Sequence, residues 1–179
     1  MTVSLPMVCA LCFLLVVGCE EKVKPSIFST VVGRDIPTQE SWNVQITFTD
    51  SGKVSAILRA GHIAIYADQK QTLLDSNIVV DFFDEHERHT SILTARRGRV
   101  YDATHDFEAR DSVVVLSDSG TTLKTEELYW SNATQKVRTP AYVEISSPKE
   151  QIQGHGFESD QSLKRYTIFK VTGRAVTNE

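Results

Sequence analysis

A unit repeated thirty residues apart constrains this chain more than any other feature. Asp102-Ala103-Thr104 is followed at Phe107 by an apolar residue, and Asn132-Ala133-Thr134 is followed in the same register by Val137. Val113 and Val115 likewise stand thirty residues before Val143 and Ile145. Each copy reads as strand, polar turn, strand, the mark of a repeated supersecondary element. A lone hairpin cannot bury its apolar face, so such units must join one larger sheet system.

The same period of two runs through the flanking chain. Trp42, Val44, Ile46 and Phe48 are expected on one face, with Asn43, Gln45, Thr47 and Thr49 on the other. Asp50-Ser51-Gly52-Lys53 closes a hairpin, Val54 to Arg59 returns, and Ile63 and Ile65 carry a further strand to a turn at Asp68. Ile78 to Phe83 is another strand before a charged turn, Asp84 to Arg88. Beyond the repeat, Ser147-Pro148-Lys149-Glu150 turns the chain, Gly154 and Gly156 mark a bulge or a close approach, and Tyr166 to Val176 closes the domain. No window from Ser41 onward keeps helical spacing for three turns. The expectation is about a dozen short antiparallel strands in an all-β sandwich or jelly roll. The inward set is Trp42, Val44, Ile46, Phe48, Val113, Val115, Leu123, Val143, Ile145 and Ile168.

The first residues carry a different signal. Met7 to Val17 is an uncharged apolar run, too short for a spanning helix of roughly 20 residues but of the length of a secretory signal core. It ends in Val16-Val17-Gly18-Cys19, which resembles a bacterial lipobox, although no lysine or arginine precedes Cys19. That resemblance implies a signal peptide over 1–18, a lipidated Cys19, and a polar tether over 19–39 ahead of the folded domain, 40–179. Glu20 to Gln39 holds Pro25 and Pro37 and little periodicity, as a tether would.

Composition narrows the chemistry. A net charge of −4 gives no reason to expect nucleic acid as a partner. The three cysteines, Cys9, Cys12 and Cys19, all lie within this leader region, leaving no thiol pair for a disulfide or a zinc site in the folded part. There is no nucleophile elbow, phosphate-binding loop, dinucleotide fingerprint or His-Glu-x-x-His motif, so neither an enzyme nor a cofactor is expected. Asp84-Glu85-His86-Glu87-Arg88-His89 is read as a solvated charged turn rather than a metal site. Arg96, Arg97 and Arg99 form the most basic cluster, suited either to lipid phosphates or to a solvent-facing strand end.

From Leu93 to Ile145, and on through Ile152 to Asp160 and Tyr166 to Gly173, the chain resembles the LptC family of lipopolysaccharide-export proteins and the related LptA/OstA repeat. Phe48 to Lys53 and Ala60 to Tyr66 look like that family's first hairpin. The resemblance implies a rolled, V-shaped pair of sheets whose apolar interior, lined by the inward set above, holds the acyl chains of lipopolysaccharide. It also implies two protein partners: an LptB–LptF–LptG-type ABC transporter at one sheet edge and an LptA-like periplasmic bridge at the other, joined by strand addition. The protein is then expected in the periplasm, held to the membrane (the inner membrane) through Cys19. The rival expectations are a structural lipoprotein with a closed sandwich and an LptA/OstA-like bridge, which needs no anchor of its own. Mass spectrometry checks the anchor: Cys19→Ala is expected to abolish lipidation and leave a heavier precursor that still carries Met1 to Gly18. An unmodified Cys19 inside an intact wild-type N-terminus is the opposing result.

Overall fold

The computed structural model describes residues 36–176. The expected signal peptide and lipidated Cys19, and most of the tether, lie outside the described residues. Within them the protein is all-β: nine antiparallel strands in one open sheet, a β-jelly roll. The strands are β1 (Gln39–Asp50), β2 (Lys53–Tyr66), β3 (Gln71–Phe83), β4 (His89–Tyr101), β5 (Asp106–Ser117), β6 (Thr122–Ser131), β7 (Lys136–Ser146), β8 (Glu150–Asp160) and β9 (Tyr166–Val176). Each pairs with the next in sequence, so β1 and β9 are the two edges. A 3-10 turn, Ala67–Gln69, links β2 to β3. No helix among the described residues is long and apolar enough to cross a membrane.

The strands are fewer and longer than the dozen expected from sequence. Val54 to Arg59 and the Ile63–Ile65 segment belong to one strand, β2. The reason lies at mid-strand. Asn43 (φ 53), Ser76 (φ 62), Asn77 (φ 60), Asp111 (φ 65) and Ser112 (φ 54) adopt left-handed backbone inside strands. Sequence rules read such residues as turns, yet pairing resumes on both sides of them as β-bulges. The register shifts between Arg59 and His62, Thr94 and Arg97, Arg110 and Val113, Thr125 and Tyr129, and Thr139 and Tyr142. These irregularities line up across the sheet from one edge to the other.

The line changes which residues face inward. In β4, Ser91, Leu93 and Ala95 are buried, but beyond the shift Val100 is. In β6, Leu123 and Thr125 give way to Leu128 and Trp130. A shift of one residue moves a side chain to the other face, whereas β3, β5 and β7, with two residues in the break, keep the same parity on both sides of it; the sheet folds over along the line. The two layers meet in one core. The Trp130 ring of β6 lies 5.4 Å, centroid to centroid, from both Phe48 of β1 and Phe82 of β3, neither of them a sheet neighbour. Gly154 and Gly156 serve the same line near the β9 edge. A Cβ on Gly154 would collide with the Lys170 carbonyl, and Gly156 sits at φ 74 beneath the Phe169 ring.

The thirty-residue repeat is a repeat of geometry. The Asp102–His105 and Asn132–Gln135 turns close with His105 N–H donating to the Tyr101 carbonyl and Gln135 N–H to that of Ser131, both at 2.8 Å. His105 and Gln135 take nearly the same left-handed φ, 58 and 55. Phe107 and Val137, which follow them, are both buried.

Because Trp130 joins the layers, its loss leaves a cavity that neither layer can fill alone. Trp130→Ala is expected to cost about 3–5 kcal/mol, a large share of the roughly 5–15 kcal/mol typical of a domain. Urea denaturation followed by circular dichroism measures it, and a loss below 1 kcal/mol contradicts the two-layer core.

Candidate functional site

The apolar core between the layers is the candidate site. Of the residues expected to line it, Phe48, Val113, Val115, Leu123, Val143 and Ile145 lie in the buried core. Val44, Ile46 and Ile168 pack against it, half-buried. The fold therefore brings nine of the ten together from β1, β5, β6, β7 and β9. Trp42 departs from expectation. It is 65% exposed, with its ring centroid 5.2 Å from that of His62. Left-handed Asn43 lies between it and Val44 and breaks the alternation. Sequence reading missed Leu58, Phe82, Leu93, Phe107 and Trp130, all buried in the same space. Phe82 had a usable signal in the alternation of Ile78, Val80 and Phe82, whereas Trp130 shares its inward face with Leu128 only after a shift that sequence does not mark.

The edges carry apolar groups that the sheet leaves uncovered. On β9, Phe169 is 70% exposed, and Val171 and Val176 are also exposed. At the other edge Trp42 is open to solvent. Beside it, His62 Nε2 is 3.3 Å from Glu40 and Nδ1 is 3.2 Å from Asp75. The hydrogen bond with Asp75, aided by Glu40, raises the imidazole pKa above its usual value.

The outer faces carry most of the charge. Glu108 of β5 is 1% exposed, accepting a 2.8 Å hydrogen bond from the Tyr101 hydroxyl and pairing with Arg110. Burial pushes its pKa up, but the Tyr101 and Arg110 hydrogen bonds and the fields of Arg110 and Arg99 win, holding it below the ordinary value. Of the basic cluster, Arg97 pairs with Asp111 and the Arg99 guanidinium carbon stands 5.9 Å from the Tyr101 ring centroid. Asp84 accepts from the backbone N–H of His86 and Arg88, at 2.8 and 3.1 Å, and from the Arg88 guanidinium, closing the charged turn. Among the described residues no His/Cys/Asp/Glu group is placed to hold a metal ion.

The described residues thus form an open β-jelly roll with an apolar core and with β1 and β9 unpaired at its edges. The family model for lipopolysaccharide assembly, LptC-related, matches residues 35–175, and the chain belongs to this family. Membership carries a role in lipopolysaccharide transport, in a family of periplasmic, inner-membrane-associated transport components rather than enzymes. No curated protein matches the chain.

The buried Glu108 gives the fold an acid dependence of definite sign. Its folded pKa is lowered, so its contribution is complete above the ordinary glutamate value of 4.5 and is lost as pH falls through the lower folded value. The urea midpoint is expected to fall more steeply below pH 4.5 in the wild type than in Glu108→Gln. Equal slopes contradict the assignment.

Proposed function

We propose that this chain is the membrane-tethered periplasmic component that receives lipopolysaccharide from an LptB–LptF–LptG-type ABC transporter and passes it to an LptA-like bridge. The observation that carries the reading is the nearest-neighbour strand order, which leaves β1 and β9 unpaired at opposite edges of one sheet. An unpaired edge is a template for another protein's strand. Trp42 at one edge and Phe169, Val171 and Val176 at the other supply apolar area beside the backbone hydrogen bonds. Family membership supports the cargo.

In this reading Cys19 holds the chain to the inner membrane and residues 19–39 give it reach. The acyl chains enter between the layers, against Val44, Ile46, Phe48, Val113, Val115, Leu123, Val143, Ile145 and Ile168. Moving a chain from one apolar groove to another changes exposed area little, so the step needs no large local driving force. ATP is hydrolysed by the transporter. The anchor at Cys19 favours this role over that of an LptA/OstA-like bridge.

A second reading, a closed sandwich without cargo, is favoured by one observation: Val113, Leu123 and Val143 are at most 1% exposed. The two readings part on substitution and on crosslinking. In a closed core, Phe48→Asp or Ile145→Asp buries an unpaired carboxylate at a cost of several kcal/mol and unfolds the domain. In an interior that opens, the fold survives and acyl-chain binding is lost. A photo-crosslinking residue at Phe48 or Ile145, in cells making lipopolysaccharide, is expected to capture the lipid. A folded protein that yields no lipid adduct at either position, with its transporter present, defeats the transport reading.

A further inference from the structure

The N-terminal half of β1 is held to the sheet without any core side chain. Gln39, Glu40 and Trp42 are exposed and Ser41 is half-exposed. Val44, Ile46 and Phe48 reach the core only beyond left-handed Asn43. What holds the half-strand is its ladder with residues 62–65 of β2, the Thr38 N–H and hydroxyl, which donate to the Ile65 carbonyl at 2.7 and 2.9 Å, and a cluster of side chains around His62.

His62 of β2 stands between two carboxylates, one from the strand on either side. Its Nε2 is 3.3 Å from Glu40 of β1 and its Nδ1 is 3.2 Å from Asp75 of β3. The Ser76 hydroxyl donates to Asp75 Oδ1 at 2.7 Å and leaves Oδ2 to the imidazole. A neutral imidazole has one N–H, so one carboxylate would face a ring lone pair; the imidazolium donates to both. The Trp42 ring, 5.2 Å from the imidazole centroid and tilted by 39°, favours the same charged form. The neighbouring cations are engaged elsewhere. Arg59, the charged residue nearest to His62 along β2, pairs with Asp81. Arg97 of β4, opposite Asp75 in the register, pairs with Asp111.

We infer that Glu40, His62 and Asp75 form a proton-dependent clasp, which ties β1 to β2 and β3 while His62 is charged and lets the N-terminal half of β1 lift away as the medium turns alkaline. The order of this sheet edge is thereby set by pH. The inference concerns a single chain and does not depend on what pairs with the edge.

The Asp75 hydrogen bond above all raises the His62 pKa above 6.5. A raised folded pKa gives a hold that is complete below 6.5 and is lost as pH climbs through the higher folded value. Asp75, held below 3.8 by Ser76 and then by His62, stays ionised throughout that range.

Amide hydrogen exchange of the full chain, with intrinsic rates divided out, tests the clasp. Between about pH 6 and about pH 9, either side of the histidine range, protection of residues 39–42 is expected to fall roughly two- to fivefold, the scale of an exposed ion pair. Protection of residues 44–48 is expected to hold. His62→Gln is expected to show the lower protection at both pH values, because glutamine takes no charge. The His62 ring, followed by NMR, is expected to titrate above 6.5 in the wild type and lower in Asp75→Asn. Protection of residues 39–42 that ignores pH, an equal fall in residues 44–48, a pH-dependent fall in a folded His62→Gln, or a His62 midpoint at or below 6.5 overturns the clasp. Should His62→Gln fail to fold, exchange and ring titration of the wild type decide.

Discussion

The line of bulges across mid-sheet is the constraint on which the rest of the structure depends. Nine strands paired in simple sequence order would otherwise make a flat or gently twisted sheet with one face bare to water. Left-handed residues such as Asn43, Asp111 and Ser112, together with the register shifts beside them, break the strands near their middle; the inward parity reverses there in β4, β6 and β8, while β3, β5 and β7 keep theirs across a two-residue break. That break lets one sheet supply both walls of its own core. Trp130 against Phe48 and Phe82 is the visible result.

The same line separates jobs. Inside lie β-branched and aromatic groups with few polar atoms. Outside, along the fold line itself, lie the charged pairs: Arg97 with Asp111, and Arg110 with Glu108 and Glu127. Bulged strands expose backbone groups that a regular ladder would pair, and polar side chains beside the line answer some of them. Ser112 N–H, for example, lies 3.5 Å from a Glu126 carboxylate oxygen. The interior is left free for apolar contact.

This division explains what was legible in the sequence. Period-two alternation gave the all-β class, the repeat gave two matching hairpins, and the closing stretch Tyr166 to Val176 coincides with β9. Gly154 and Gly156 were readable as a bulge or close approach because only glycine tolerates both. The strand count was not, because Ser76-Asn77 and Asp111-Ser112 look like turns in any local window. Trp42 was misplaced for the same reason, with Asn43 as the hidden break. Alternation says which residues leave a strand together; it does not say which layer they meet. So the nine residues gathered in the interior could be named from sequence, while Trp130, defined by contacts between layers, could not.

The strand order has a consequence for how the protein comes into being. Every ladder joins sequence neighbours, and the widest pairing, Gln71 with Tyr101, spans only 30 residues. Closure of such short loops is entropically mild and favours fast folding. Each new strand pairs with the one before it, while the core closes only when distant strands meet, as Phe48 of β1 and Phe82 of β3 do with Trp130 of β6. Among the described residues β9 is the last strand in this order, and its outer side stays open for a further strand.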